Sequence, residues 1–402
     1  MTDQETRHVY MDYSAGKPVA SRVLKEMLPY METSYGNPSS LYKFGQEAKR
    51  ALEESRTKVA KLINAEKPET IIFTSGATES NNLAIKGTAI RNKAQGTRII
   101  TSSIEHISII NASKSLINEG FQVVSLPVDK FGLLDLEKLE DEIDDKIVLV
   151  SIVYANSEIG TIQPIKEISK IVHTKNAYLH VDATAACGQI PIDVKKEGID
   201  LLTISSNDMY GPKGVGALYM KEGVRIASIL HGGGQERGLR SGTENVPGIV
   251  GLAKAAEIAQ NEMQIENKRL TILRDSLIHG LIDPIPSSFL NGHPTMRLPN
   301  NVSVRYSFIE GESILLSLDL MGVYASSGSA CTAKTLQPSH VLLAIGLKHE
   351  EAHGSLMLTL GKQTTQEDVD YVTELMPGIV ERLRKISPLT PKELKKECIR
   401  TK

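Results

Sequence analysis

Short apolar runs recur from about residue 50 to residue 260, each bounded by small or polar residues: "TIIFTS", "TRIITSS", "FQVVSLPV", "KIVLVSIVY", "AYLHVDA", "DLLTISS" and "VGALYM". They are rich in Ile, Val and Tyr, side chains that pack well on a pleated surface. Between them lie stretches with apolar residues at helical spacing, such as "GQEAKRALEESRTKVAKLIN" and "PIKEISKIVHTK". Strand and helix patterns alternating at this interval predict a mostly parallel sheet with helices on both faces. A longer helical pattern, "GIVGLAKAAEIAQNEMQIENKRLTILRDSLIHGL", then leads to a second unit. That unit combines strands "NNVSVRYSF", "VYASS" and "SLMLTL" with helices "ESILLSLDLM" and "EDVDYVTELMPGIVERLRKI". Thr365 and Asp368 stand at capping-box spacing ahead of the last helix. The expected division is a large domain over 15–257 and a small α+β domain built from 1–14 with 258–402. No internal repeat interrupts this plan, and the charged tail "LTPKELKKECIRTK" is expected to fray.

Composition narrows the picture. The 402 residues are 41% hydrophobic and 23% charged, with a net charge of −2, the profile of an ordinary globular protein. No basic patch marks a nucleic-acid or anionic-membrane partner. No apolar run approaches the roughly 18 residues of a membrane span, and the N-terminus lacks a signal-peptide core. The three cysteines, Cys187, Cys331 and Cys398, are far apart and without zinc-type spacing. Such usage fits a reducing compartment and predicts a cytoplasmic protein.

Polar residues cluster where the apolar runs end, which is where open α/β sheets place ligands. In "FTSGATESNNLAIKG", small residues and Thr78 precede a helix, so a plain helix cap and a phosphate cup both remain open. No Lys-Ser or Lys-Thr follows, which excludes a nucleotide P-loop. Asp182 ends "LHVDATAA", where a buried carboxylate needs a partner, either a protonated ring nitrogen or a structural Arg. His106, after "TSSIE", can stack on a flat cofactor or simply cap a helix. "HGGGQERGLRSGTENVPG" is too glycine-rich for a regular element and predicts a loop approaching a ligand or another subunit. Cys331 lies among Ser, Gly, Ala and Thr in "YASSGSACTAKTLQPSH", the setting of a reactive thiol on a moving loop. Cys187, in "ATAACGQIPI", reads as core packing.

Taken together, these stretches resemble the cysteine desulfurases of the NifS/IscS type, within the fold-type I enzymes that use pyridoxal phosphate (PLP). The likeness covers essentially the whole chain, through "YMDYSAGKPV", "YGNPSSLYKFG", "FTSGATESNNLAIKG", "ANSEIGTIQPI", "HVDATAA", "YGPKGVGALY", "GGGQERGLRSGTENVPGI", "LPNNVSV", "SSGSACT" and "LQPSHVLLAIG". The resemblance implies an α/β fold-type I PLP-transferase-like architecture, a large PLP domain plus a small domain, in a homodimer with shared active sites. It implies that Thr78 and Ser205 meet the cofactor phosphate, that Ala77 is a further cofactor-binding position, and that Thr243 reaches the phosphate from the neighbouring subunit. Asp182 would bind the pyridine nitrogen, His106 would stack on the ring, and Asn156 would lie beside cofactor and substrate. Cys331 corresponds to the thiol that attacks the substrate sulfur and carries it as a persulfide.

The chain departs from that pattern in "SSNDMYGPKG". The family reads Ser-x-His-Lys there, and the lysine bonds PLP and moves protons. This chain has Asn207 and Asp208. A carboxylate cannot bond the cofactor aldehyde as an amine does, so PLP would be held non-covalently, with Asp208 or His106 moving protons. Ala185 replaces a glutamine and Met357 replaces the arginine that clamps the substrate carboxylate, a strong charge-assisted contact. Gly16 and Lys17 stand where the family has threonines, which leaves Lys17 open as a new cofactor contact. The expectation is a desulfurase-like protein of iron–sulfur cluster assembly with little or no conventional activity. Cys331 would serve as metal ligand to a cluster shared with a scaffold protein of the IscU type, or as sulfur carrier. The alternative is an active cysteine desulfurase, forming alanine and persulfide sulfur, with non-covalent PLP.

Overall fold

The run Ile147–Val153 has no polar face: all of its seven residues are buried. A strand of that kind must lie inside a sheet covered on both sides. The computed structural model describes residues 7–327 and 338–395. In chain order the strands are β1 (Val9–Tyr10), β2 (Ile71–Thr74), β3 (Arg98–Ser102), β4 (Gln122–Leu126), β5 (Ile147–Val153), β6 (Tyr178–Asp182), β7 (Leu201–Ser205), β8 (Gly216–Met220), β9 (Ser288–Leu290), β10 (Asn301–Tyr306), β11 (Val323–Tyr324) and β12 (Ser355–Thr359). Strands β2 to β8 form one seven-stranded sheet in the order β2-β8-β7-β6-β5-β3-β4. Pairings from β7 through β6, β5 and β3 to β4 are parallel, whereas β8 runs antiparallel to both β7 and β2. Six strands therefore point the same way and deliver their C-terminal ends to one edge.

Helices α1 (Ser21–Glu32), α2 (Lys43–Leu62), α3 (Ala77–Asn92), α4 (Ile107–Ser115), α5 (Leu136–Glu142), α6 (Ile165–Val172) and α7 (Val246–Ile282) surround this sheet. One face is closed by α3 and α4, whose Leu83, Ile85, Ile109 and Ala112 pack on Ile72, Ile99 and Leu149. The other face packs against Val59 of α2, Ile168 of α6 and Ile249 and Leu252 of α7. Cys187 belongs to this second core and is 1% exposed.

The 37-residue α7 has Asn245 at its N-cap, bonded to Gly248 N, and Pro247 in its first turn, positions that suit both residues. At roughly 1.5 Å per residue it is about 55 Å long. Its first half contributes Ile249 to Ile258 to the large core, and its second half contributes Leu270, Leu273, Leu277 and Leu281 to another. That second core joins Val9 and Met11 to the antiparallel sheet β12-β10-β9 and to helices α8 (Gly311–Asp319) and α11 (Gln366–Ile386). Two short helices, α9 (His340–Ala344) and α10 (His349–His353), lie between β11 and β12 in the chain. The capping box of α11 forms in both directions: Asp368 N donates to Thr365 Oγ1 at 3.2 Å, and Thr365 N donates to Asp368 Oδ2 at 3.0 Å. Among the described residues no helix is long and apolar enough to cross a membrane.

Candidate active site

Five strand ends bring the polar residues together. Asp182 closes β6 and is 3% exposed. Its Oδ2 accepts from Asn81 Nδ2 at 2.8 Å and its Oδ1 from Thr184 N at 3.0 Å. Among the described residues no Arg or Lys pairs with it, so the structural-arginine alternative is not what the fold provides. Asn81 lies on α3 and was not singled out from the sequence; nothing in "SNNLAIKG" announces that its amide turns toward a strand end. One layer below, His180 bridges the sheet, with Nδ1 2.8 Å from Ser151 Oγ and Nε2 3.0 Å from Thr203 Oγ1.

Burial pushes the His180 imidazole down to about 4, against the pull of the Asp182 charge. The unfolded chain takes up this proton near 6.5, whereas the folded chain keeps the ring neutral down to about 4. Stability is therefore lost as pH falls between those values. Relative to a His180→Gln variant, the parent is expected to lose up to roughly 3 kcal/mol on going from pH 6.5 towards 4. Denaturant unfolding of both proteins at several pH values reads this directly, and a difference that does not change with pH would contradict it.

His106 caps α4, its Nδ1 lying 2.7 Å from Ser108 Oγ and accepting from Ser108 N, while the residue itself is exposed. Both readings of this histidine stay open, because a capping ring at the sheet edge also presents a flat face. Glu105, immediately before it, is fully buried and accepts from Ser102 Oγ and from Val153 N at 3.0 Å. Burial raises its carboxyl to about 8, with those hydrogen bonds opposing and the Asp182 charge adding to the rise. Sequence reasoning passed over Glu105, whose type alone says nothing of its burial. Asn156, 5% exposed, donates to Ile104 O and accepts from Glu158 N and Ile159 N. It thereby ties the end of β5 to the segment carrying His106.

At the end of β2 the chain turns through Gly76 (φ 144°) into α3, whose N-cap offers no side-chain acceptor. A Cβ at Gly76 would meet nothing within 4 Å, so space lies open in front of the helix. Ala77 and Thr78 form its first turn, with Thr78 exposed. Ser205, 8% exposed, ends β7, and the turn Asn207–Met209 follows. Burial raises the Asp208 carboxyl, with Lys17 opposing, a Ser205 hydrogen bond opposing further, and the Asp182 charge adding to the rise. Thr243 stands exposed on the glycine-rich loop, and within the chain it bonds to none of these residues. Buried atoms without partners line the same edge: Thr184 Oγ1, Ser206 Oγ and Asn207 Oδ1.

Cys331, expected to bear the reactive thiol, lies outside the described residues. The segments flanking 328–337 are nonetheless anchored beside this edge. On one side Ser326 and Met357 exchange backbone hydrogen bonds at 3.1 and 2.8 Å. On the other, Ser339 Oγ donates to Glu158 Oε2 at 2.7 Å, and His340 Nε2 lies 2.9 Å from the Glu105 carbonyl. Met357 is 8% exposed and presents a thioether where the resemblance places a guanidinium.

The sheet edge thus gathers a buried carboxylate, an uncapped helix start and a histidine from separate strand ends. The chain belongs to the aminotransferase class-V family, whose model matches residues 9–372. It is 59% identical over 380 residues to a protein of Archaeoglobus fulgidus named cysteine desulfurase IscS 1, covering 94% of this chain and 99% of that one. It is 54% identical over 389 residues to cysteine desulfurase IscS of Methanosarcina thermophila, covering 97% and 96%. A solved structure described as a NifS-like protein superposes with a TM-score of 0.88 at 40% identity, covering 94% of this chain and all of that one.

The residues present fit PLP as a non-covalent guest. The start of α3 and Ser205 offer donors for a phosphate. Asp182 uses one hydrogen bond on each oxygen, which leaves lone pairs for a ring N–H. Position 208 supplies no amine, so nothing there replaces the covalent attachment.

Proposed function

We propose that this chain is a cysteine desulfurase-like protein of iron–sulfur cluster assembly in which conventional PLP chemistry is largely lost. It would work as a cytoplasmic homodimer with an IscU-type scaffold, offering Cys331 as cluster ligand or sulfur carrier. The observation that carries this reading is Asp208: the turn following β7 presents a carboxylate where the family presents an amine. The thioether at Met357 supports it, since an anionic amino-acid substrate loses its guanidinium partner. PLP, when bound, supplies an electron sink. Ala77, Thr78, Ser205 and the neighbouring subunit's copy of Thr243 would hold its phosphate, Asp182 its ring nitrogen, and His106 and Asn156 its ring and substrate sides. The large-domain span 15–257 and the small-domain remainder are proposed on the same footing, the two cores along α7 supporting a boundary near residue 257.

A second reading, an active desulfurase with non-covalent PLP, is favoured by one observation. Asp182 keeps its supporting hydrogen bonds although no Arg or Lys among the described residues pairs with it, which is economical only if a protonated ligand completes the pair.

The test is cluster retention in the complex. The protein and its scaffold, reconstituted anaerobically with iron and sulfide, should lose at least tenfold of their bound cluster when Cys331→Ser replaces the thiolate, read by iron content and absorbance. A serine variant that holds its cluster as well as the parent would remove the ligand role.

A further inference from the structure

Among the described residues Lys17 is the one buried lysine, 4% exposed, and none of the proposed roles uses it. Its Nζ donates to the Asp208 carbonyl at 2.6 Å and lies 5.2 Å from the centre of the Tyr210 ring. Two further hydrogen bonds join the same segments: Ala20 N donates to Tyr210 O at 2.9 Å, and Lys213 Nζ donates to Lys17 O at 3.3 Å. Tyr210 holds a left-handed backbone, φ 61°, a conformation that a non-glycine residue keeps only when its surroundings enforce it. The segment 17–20 supplies that enforcement.

The charges argue in the same direction. Burial depresses the Lys17 amine, the Asp208 charge opposes that fall, and the Lys362 ammonium adds to it. Lys362 is held by Glu262 at 2.8 Å and lies 5.5 Å from the same Tyr210 ring. The Lys17 Nζ contact is to the Asp208 main-chain carbonyl, and the Asp208 carboxylate, with no direct ion pair to Lys17, acts on the buried amine as a nearby opposite charge. A lysine at 208 would turn that attraction into repulsion in a space with little water to screen it.

We propose that Lys17 and Asp208 are one exchanged pair: Lys17 is the positioning residue that holds the 207–210 turn closed without a bonded cofactor, and it is the second determinant of whether position 208 can carry an amine. Restoring the family's lysine at 208 therefore needs two substitutions, because the cation at 17 must leave as well. The inference rests on the proposed reading of 208 as the place of the family's PLP lysine.

The test is a double-mutant cycle on the full-length protein, with Lys17→Thr, Asp208→Lys and the two combined. Two quantities are read: the thermal midpoint without PLP, and the fraction of chains carrying PLP at residue 208 after incubation and borohydride reduction, by peptide mass. Each single change should lower the midpoint, and the combination should recover most of the combined loss. Trapped PLP should be at least tenfold higher in the double variant than in Asp208→Lys alone. Additive midpoints with equal trapping would overturn the pairing. Coupled midpoints with no trapping in either protein would sustain the pairing and overturn instead the reading of 208 as the cofactor position. If Asp208→Lys does not fold, Lys17→Met and Lys17→Met/Asp208→Asn serve: removing the unpaired carboxylate should raise the midpoint above that of Lys17→Met, and failure to do so would overturn the proposal.

Discussion

Incubated anaerobically with cysteine and added PLP, the purified protein is expected to form alanine roughly a thousandfold or more slowly than a family member that keeps the lysine and the arginine. Two losses combine. A positioned group that moves protons is worth about 10² to 10⁴ in rate, and Asp208 is poorly suited to replace one. Its carboxyl is raised by burial and held by Ser205, and the nearest amine is engaged by the Asp208 carbonyl. The thioether at Met357, where the resemblance expects a guanidinium, would forgo hydrogen bonds to a charged group worth about 1.5 to 3 kcal/mol, a further factor of roughly ten to a hundred. Quantifying alanine with and without PLP, and in Cys331→Ala, measures the sum. Alanine formed at a rate near that of ordinary family members, and lost in Cys331→Ala, would replace the first reading of function by the second.

Much of the fold was legible because its signals are local. The unbroken apolar run Ile147–Val153 becomes the fully buried β5, and Thr365 with Asp368 forms the expected box. The small-domain strand "VYASS" was read too long. Only Val323–Tyr324 pairs, with β1, and Ser326 instead makes an isolated bridge to Met357. The placement of the candidate site's polar residues was legible where one ends a strand, as Asp182 and Ser205 do, because parallel strands must leave their C-terminal ends at one edge.

Contacts between distant segments were not legible. Lys17 meets the Asp208 carbonyl across 191 positions, whereas the sequence left Lys17 open only as a new cofactor contact. Glu105 sits beside His106 in the sequence, yet it is buried and accepts from Val153 N at the end of β5, a contact across 48 positions that no local pattern encodes. The resemblance supplied what spacing could not, the amine expected at 208. The structure then placed Lys17, a departure that the resemblance had marked, with its Nζ on the Asp208 carbonyl.

The glycine-rich loop carries the second large expected effect. Glu236→Ala should destabilise the protein by about 3 to 5 kcal/mol, the cost of breaking a buried ion pair by removing one partner. Glu236 Oε1 accepts from Arg56 Nη2 at 2.7 Å, and Oε2 accepts from Arg56 Nη1 at 2.8 Å and from Phe73 N at 2.7 Å. The side chains of Arg56 and Glu236 are 8% and 2% exposed, so alanine would leave the guanidinium against the Phe73 ring, 4.8 Å away, with only the Ile71 carbonyl and the half-exposed Glu53, 3.3 Å off, to answer it. The clamp also bears on backbone geometry. Glu236 and Arg237 both hold left-handed φ angles, 44° and 58°, which glycine adopts freely and other residues only under constraint. A few residues on, Arg240 pairs with Glu79 of α3 at 2.9 Å, and Glu79 accepts from Ser75 N beside the uncapped helix start. The loop bearing Thr243 and the proposed phosphate cup are thus fastened to the same strand end. Thermal midpoints should fall clearly in Glu236→Ala and recover in Arg56→Met/Glu236→Ala, because removing both charges leaves neither one buried alone. A single variant that melts with the parent would mean that the bidentate pair contributes little net stability and that the left-handed turn is held by the glycines around it.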